Sequence, residues 1–155
     1  MTNQFVDTWQ INDRVNLMLL DHITEAGLRS TLSTRGGRDV ARQFAHIHNV
    51  RVGWLDVCAK DLQKGLETFG KDAEPTKPEL KKALTASADA IAKLIQRGAE
   101  ADGKIKGFKR GVVPMLGYFI AHEGHHRGSI LLTLKQTGNK VPTEVQYGIW
   151  EWGKI

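Results

Sequence analysis

The sequence contains very little cysteine, and this scarcity excludes several kinds of protein. Cys58 is the single cysteine among 155 residues. No disulfide can therefore form within the chain, and a secreted, cysteine-rich scaffold is excluded. The expected location is a reducing cytoplasm. Because Cys58 lies in an apolar stretch, it is interpreted as a small buried hydrophobic residue and not as a nucleophile.

Long apolar runs are also missing. The longest ones fall far short of the roughly 20 residues that a membrane-spanning helix needs. The first residues lack the basic segment and apolar core of a signal peptide. We therefore expect a chain without a membrane span or a targeting segment. Its length suits a single domain, and we expect residues 1–155 to form one.

Acidic residues are fewer than basic ones, 17 against 22, which gives a formal net charge of +5. A basic balance can indicate nucleic-acid binding, because clustered lysine and arginine displace counterions from a phosphate backbone. Here most of the charges are dispersed along the chain. The one compact basic run, residues 104–110, contains a glycine and is interpreted as a solvated loop. Nucleic-acid binding is therefore the least favoured hypothesis.

Apolar side chains recur every three or four residues through most of the chain, which predicts α-helices. The third predicted helix begins with a capping box from Thr76 to Glu79, and Pro78 suits its first turn. No segment alternates like a β-strand for long. The predicted fold is therefore an all-α four-helix bundle. Its helices are expected at residues 5 to about 32, about 39 to 58, 76 to 98 and 114 to about 136.

Three of the six histidines lie within one short segment that begins at His122 and ends at His126. These two are four residues apart, so on a helix they share one face and can reach one metal ion. An apolar stripe at helical spacing includes both, which predicts that their rings point into the bundle. Two buried imidazoles are costly to protonate, and a shared cation removes that cost. The alternative is a pair of hydrogen-bonded core histidines.

The same segment matches the H-E-x-x-H pattern of zinc proteases, in which the glutamate acts as general base. Gly124 in mid-helix and the small size of the chain argue against a protease. Glu123 is kept as a base candidate, but a solvated or supporting position is the preferred interpretation. His125 is expected at the edge of the helix, at the mouth of the site. His22 is expected to be a half-buried core or rim residue.

A third ligand is expected from a facing helix. The second predicted helix offers His46 and His48. They lie about 200° apart on a helical wheel, so at most one of them can face the metal. Both have apolar neighbours, and periodicity alone leaves the two alternatives open.

The segment Phe44–Trp54, followed much later by His122–Leu131, resembles the DinB-like family of four-helix-bundle proteins. The resemblance covers nearly the whole chain. In that family three histidines hold a divalent ion, often nickel or zinc, with positions left for water. The family's first ligand precedes an apolar residue and lies eight residues before an aromatic one. The resemblance therefore implies His46, together with His122 and His126, as the metal ligands. Relatives often carry glutamine where this chain has Ser129.

The resemblance implies a metal site and, more loosely, a chemistry. Characterised relatives include thiol-dependent transferases and an isomerase, in which the metal is thought to bind a low-molecular-weight thiol. The leading hypothesis is a metal-dependent hydrolase or thiol-dependent transferase that acts on a small molecule. The alternative is a non-catalytic metal-binding or dimeric interaction module. Relatives often dimerise, so a homodimer is expected, with the tail around Trp150 and Trp152 packed on the bundle or on a second subunit.

Overall fold

The computed structural model describes residues 2–155, and this part of the chain is helical. Four long helices pack against one another as a bundle, which confirms the predicted all-α fold. Within residues 2–155 the only β-type pairing is an isolated bridge between Ile105 and Phe108. None of the described helices is both long and apolar enough to cross a membrane. The helices are α1 (Thr2–Asp21), α2 (Glu25–Leu28), α3 (Val40–Cys58), α4 (Lys60–Gln63), α5 (Lys77–Glu100), α6 (Val112–Gln136) and α7 (Thr143–Gly148).

The core consists of two apolar clusters with a polar layer between them. One cluster includes Leu19 and Ile130, and the other includes Trp9 and Phe119. Each long helix has buried polar positions between its residues of the two clusters, so the four helices contribute to one layer. These positions are Asn12, Asp13 and Asn16 in α1, Arg51 in α3, Ser87 in α5, and Glu123 and Arg127 in α6.

Side-chain caps fix the starts of two long helices where the sequence predicts them. Asp39 accepts a hydrogen bond from the backbone N–H of Arg42 at 2.8 Å and so caps α3. Thr76 and Glu79 form the predicted capping box at the start of α5, each satisfying a backbone donor of the other. These caps fix the position along the bundle of His46 in α3 and of the core face of α5.

The C-terminal end of the first helix was predicted wrongly. The helix stops at Asp21 instead of continuing to about residue 32. The chain turns, and Thr24 starts the short helix α2 by accepting a hydrogen bond from Gly27 N at 3.0 Å. Ile23 and Leu28 are buried in this turn, so the apolar spacing continues although the helix does not. Residues 29–39 are consequently a loop, and this loop reaches the histidine cluster.

Gly98 does not stop the third long helix, which continues to Glu100. A Cβ atom at Gly98 would lie 2.8 Å from Cγ1 of Ile105, so glycine is needed there for the close approach of the following loop. The lysines of that loop are exposed, as predicted. Cys58 is only partly buried against the second cluster, and burial raises the pKa of its thiol.

The C-terminal tail packs on its own bundle in part. Ile149 is buried and Trp152 is partly buried, whereas Trp150 is 76% exposed. Helix α7, which precedes the tail, is missing from the sequence-based prediction because its six residues are too few to show a helical period.

Candidate metal centre

Three histidines from two facing helices converge on one point. His46 of α3 and His122 and His126 of α6 each offer a ring nitrogen, and these three atoms lie within 4.8 Å of one another. The ring centroid of His46 lies 5.3 Å from that of His122 and 4.9 Å from that of His126. Those of His122 and His126 are 4.7 Å apart. The spacing within α6 and the facing position on α3 are therefore those of a candidate metal site.

The three rings are half-buried and lie at the edge of the bundle. The prediction that they point into its interior is therefore wrong. The interior positions of α6 are the next residues along the chain, Glu123 and Arg127. The buried stripe of α6 advances by four residues from Phe119 to Glu123 and again to Arg127. The prediction placed His122 and His126 in this stripe from the helical spacing of the apolar residues around them. Glu123 and Arg127 are admitted there because each has partners for its charge.

Burial and mutual repulsion keep the three imidazoles neutral. Desolvation is the largest cause that lowers the pKa of each ring. For His126 the neighbouring His122 and His46 add to this effect, and its pKa falls to about 4. The cationic Arg38 lowers the pKa of all three rings. At neutral pH the cluster therefore presents unprotonated nitrogens, which is the form that binds a metal ion.

Two further side chains surround the cluster. The phenol ring of Tyr118 stacks on His122, with centroids 5.9 Å apart and planes 11° from parallel. The buried Gln43 places its Oε1 3.5 Å from Nδ1 of His126, a long contact. Nδ1 of His122 is buried and has no hydrogen-bond partner among the described residues. The polar groups of this cluster are thus incompletely satisfied by the chain itself.

The remaining histidines lie apart from the centre or at its rim. His48 points elsewhere, with Nε2 2.9 Å from the carbonyl oxygen of Glu67 and its ring against Phe69. His125 is exposed, with its ring 5.2 Å from that of His126, as expected for the mouth of the site. His22 was predicted to be half-buried, but it is exposed because α1 ends just before it.

Beneath the histidines, Glu123 is the centre of a buried ionic network. Its side chain is 1% exposed, so of the two interpretations the solvated position is wrong and the supporting position remains. Arg51 donates from Nε to Oε1 at 2.7 Å and from Nη2 to Oε2 at 2.9 Å. Asn12 and Asn16 each donate to Oε2 at 2.7 Å. Arg51 also donates to Asp13 at 2.9 Å. With both oxygens engaged by Arg51 and the two asparagines, Glu123 is not placed to act as a base.

The network also anchors α6 through Arg127. Nη1 of Arg127 donates to the side-chain oxygens of Asn12 and Asn16 at 2.9 and 2.8 Å. The guanidinium of Arg51 lies 4.8 Å from the ring of Trp9. Burial alone would lower the pKa of Arg51, but the paired carboxylates outweigh it and raise the pKa. Two cations and two carboxylates balance in this layer, which fixes the helix turn that carries His122 and His126.

Comparison with known proteins agrees with this geometry. The model of the DinB family matches residues 1–151. The chain belongs to the DinB family. No curated protein and no solved structure matches it. The family match covers nearly the whole chain, and the histidine cluster within it has the composition of a metal site.

Two cavities flank the histidine cluster of this DinB protein. One, of about 420 Å³, is lined by His46 and by residues of the loop before α3. The other, of about 290 Å³, is lined by His125, His126 and Ser129. Arg38 lines both. Ser129, where relatives often carry glutamine, thus belongs to the wall of a cavity next to the cluster.

Sequence-based reasoning missed three residues of this site. Gln43 precedes His46 by three residues and Tyr118 precedes His122 by four, so helical spacing could have placed both beside the ligand candidates. Arg38 could not have been found this way. It lies in the loop that the prediction assigned partly to a long first helix, and the fold alone brings it to the histidines.

Proposed function

We propose that this DinB-family protein binds one divalent metal ion, nickel or zinc, through His46, His122 and His126, and uses it in an enzymatic reaction on a small molecule. The observation that carries the proposal is the convergence of three neutral imidazoles on one point. Imidazole is a preferred ligand of both ions.

The donor set fits such an ion. Two imidazole nitrogens on a tetrahedral zinc ion stand about 3.4 Å apart, from Zn–N distances of about 2.1 Å. The candidate nitrogens lie within 4.8 Å of one another, so small side-chain rotations suffice for coordination. The low pKa of His126, about 4, means that no proton has to leave this ring at neutral pH before metal binds. The unpartnered Nδ1 of His122 also supports a site that is incomplete without a further group.

An open face beside the cluster supports an enzyme over a structural site. Structural zinc sites are closed by four protein ligands. Among residues 2–155, the cluster comprises three histidines and no fourth ligand from histidine, cysteine, aspartate or glutamate. The two flanking cavities give a small molecule access to it. A divalent ion held by neutral ligands retains its positive charge, so it supplies Lewis acidity toward a water, a thiol or a carbonyl group.

The residues around the cluster have separate tasks in this proposal. Tyr118 holds the His122 ring by stacking, and Gln43 limits the movement of His126. His125 is the protonatable side chain at the mouth of the site and is assigned proton transfer with substrate. Glu123 is assigned no step, because its carboxylate is committed to Arg51 and the asparagines.

The reaction class is proposed as hydrolysis or transfer involving a low-molecular-weight thiol. The two differ in their requirement for the thiol. Metal-loaded protein is assayed with ester, amide and electrophilic substrates, each with and without added thiol. Product formation without thiol identifies a hydrolase, and strict dependence on thiol identifies a transferase. Activity that His125→Gln lowers mainly through kcat supports the assigned role, and an unchanged rate contradicts it.

The ligand assignment is tested by calorimetric titration of metal-free protein with Ni²⁺ and Zn²⁺. His46→Ala is expected to weaken binding strongly, because it removes one of three ligands. His48→Ala tests the alternative that periodicity left open and is expected to leave the affinity unchanged. His22→Ala, an exposed histidine outside the site, is the control for non-specific surface binding. Equal affinity for wild type and His46→Ala overturns the assignment.

Exposed aromatic side chains favour a second function, assembly into a homodimer. Trp150 is 76% exposed and Tyr147 is 70% exposed, next to each other at the C-terminal end. Such a patch is costly to leave in water. Light scattering is expected to show a dimer for wild type and a monomer for Trp150→Asp, with Val113→Asp as the exposed control. A monomeric wild type at micromolar concentration contradicts this part of the proposal.

A further inference from the structure

The cavity beside His46 is rich in positive charge. Its wall includes the cations Arg38, Arg42 and Lys71 and a single carboxylate, Asp72. Three cations against one carboxylate leave an excess of two positive charges around a space of about 420 Å³. A space of this size accommodates a small molecule. The charge of such a molecule is expected to be negative, because concave basic surfaces concentrate anions.

Two of these cations are free to bind a ligand. Arg42 forms an ion pair with Asp39, because its Nε lies 3.5 Å from a carboxylate oxygen of that residue, although this contact is not a hydrogen bond. Neither Arg38 nor Lys71 forms an ion pair with any of the residues that the structure describes. Asp72, although close in the chain to Lys71, pairs with neither. The available positive charge of the cavity is therefore that of Arg38 and Lys71, which exceeds the negative charge of Asp72 by one.

Of the two available cations, Arg38 is the one that lines both cavities beside the histidine cluster. It lines the cavity beside His46 and also the cavity beside His126. A ligand group bound by Arg38 therefore lies next to the reacting centre, whichever cavity holds the rest of the molecule.

The local backbone places Arg38 in this position. Gly36 adopts a left-handed conformation with φ of 81°. A Cβ atom at Gly37 would lie 2.5 Å from Cβ of Ser33, so only glycine fits there. Ser33 Oγ accepts a hydrogen bond from Gly37 N at 2.8 Å and closes this turn. The turn delivers the Arg38 side chain to the boundary between the two cavities.

We propose that Arg38, together with Lys71, binds an anionic oxygen group of the substrate, a carboxylate or a phosphate, beside the three histidines. The substrate class is accordingly a small anionic molecule. This inference rests on the proposed function, because it takes the histidine cluster as the reacting centre. Anion binding itself can be measured without any reaction.

The test uses calorimetric titration of the 155-residue protein with two probes, inorganic phosphate and succinate, at low ionic strength. Arg38→Ala is compared with Arg35→Ala, which removes the same charge from an exposed position of the same loop that lines neither cavity. Loss of a charge-assisted contact is expected to raise Kd about tenfold in Arg38→Ala. Arg35→Ala is expected to bind like wild type. The probe that binds more tightly identifies the group as phosphate or carboxylate.

The titrations are repeated after metal removal with a chelator, because an anion can also bind a metal ion directly. Binding that survives chelation and depends on Arg38 supports the proposed pocket. Binding of neither probe at about 10 mM overturns it, as does an equal effect of the two arginine substitutions. Metal content is measured on the same samples. Protein that binds the anion through Arg38 but has no affinity for metal supports the pocket and refutes the metal-dependent function. Protein that binds metal but neither probe refutes the pocket alone.

Discussion

Replacement of Glu123 by glutamine is the perturbation that tests the buried network most sharply. The carboxylate accepts four hydrogen bonds, two from Arg51 and one each from Asn12 and Asn16. Glutamine keeps the size of the side chain but removes its charge and turns one acceptor into a donor that faces other donors. Arg51 retains Asp13 as a partner but loses the carboxylate that binds it in a bidentate manner.

The expected magnitude follows from this loss. Breaking a buried ion pair by removing one partner costs about 3–5 kcal/mol, and here the two arginines of the layer are left with Asp13 as their one carboxylate. Since small proteins are stable by about 5–15 kcal/mol, the variant should lose a large part of its free energy of unfolding. The corresponding decrease in Tm is about 10 °C for a chain of this size.

Urea unfolding followed by tryptophan fluorescence and by circular dichroism measures this loss. Glu144→Gln is the matched control, because Glu144 is exposed and is in no ion pair within residues 2–155. It should unfold like wild type. A loss below about 1 kcal/mol in Glu123→Gln would refute the argument that the charge balance of this layer stabilises the bundle.

Two other predictions concern stability. The pKa of His126 is about 4 in the folded chain and about 6.5 in the unfolded one, so the unfolded state takes up its proton first as the pH falls. Metal-free protein should therefore lose about 1 kcal/mol of unfolding free energy between pH 7 and pH 5, allowing for the partial exposure of the ring. The His126→Gln variant should lose less over the same range. Urea titrations at the two pH values measure both losses, and equal losses would contradict this prediction. Gly98→Ala should destabilise by about 1–2 kcal/mol, because its Cβ would meet Ile105, whereas Gly53→Ala, with open space around it in α3, should be neutral or stabilising. Thermal unfolding of the two variants checks this contrast, and similar Tm values would count against it.

Local signals in the sequence predicted much of the architecture. The capping box at Thr76 and the periodic apolar residues gave α3, α5 and α6 nearly their observed bounds. The end of α1 was not predictable in this way. Its break contains neither glycine nor proline, and buried residues in the turn continue the helical spacing. The Thr24 cap of α2 and the tertiary packing of Ile23 and Leu28 distinguish this turn from a continued helix.

The site was predictable where its residues share one helix and less so where they do not. The pair in α6 follows from a spacing of four residues, but the choice of His46 over His48 required the family resemblance. The structure brings His46 to the pair and turns His48 toward Glu67. The depth of the rings was predicted wrongly, because a pattern of apolar residues cannot show that charged side chains will pair in the core.

The metal content of untagged protein, purified without added metal, tests the central claim most directly. Elemental analysis of wild type is expected to give about one nickel or zinc ion per chain, and His122→Ala is expected to give almost none. His22→Ala, with an exposed histidine outside the cluster, should retain the wild-type content. Wild-type protein that holds no metal even after reconstitution would contradict the account, and so would a His122→Ala variant that keeps its full metal content.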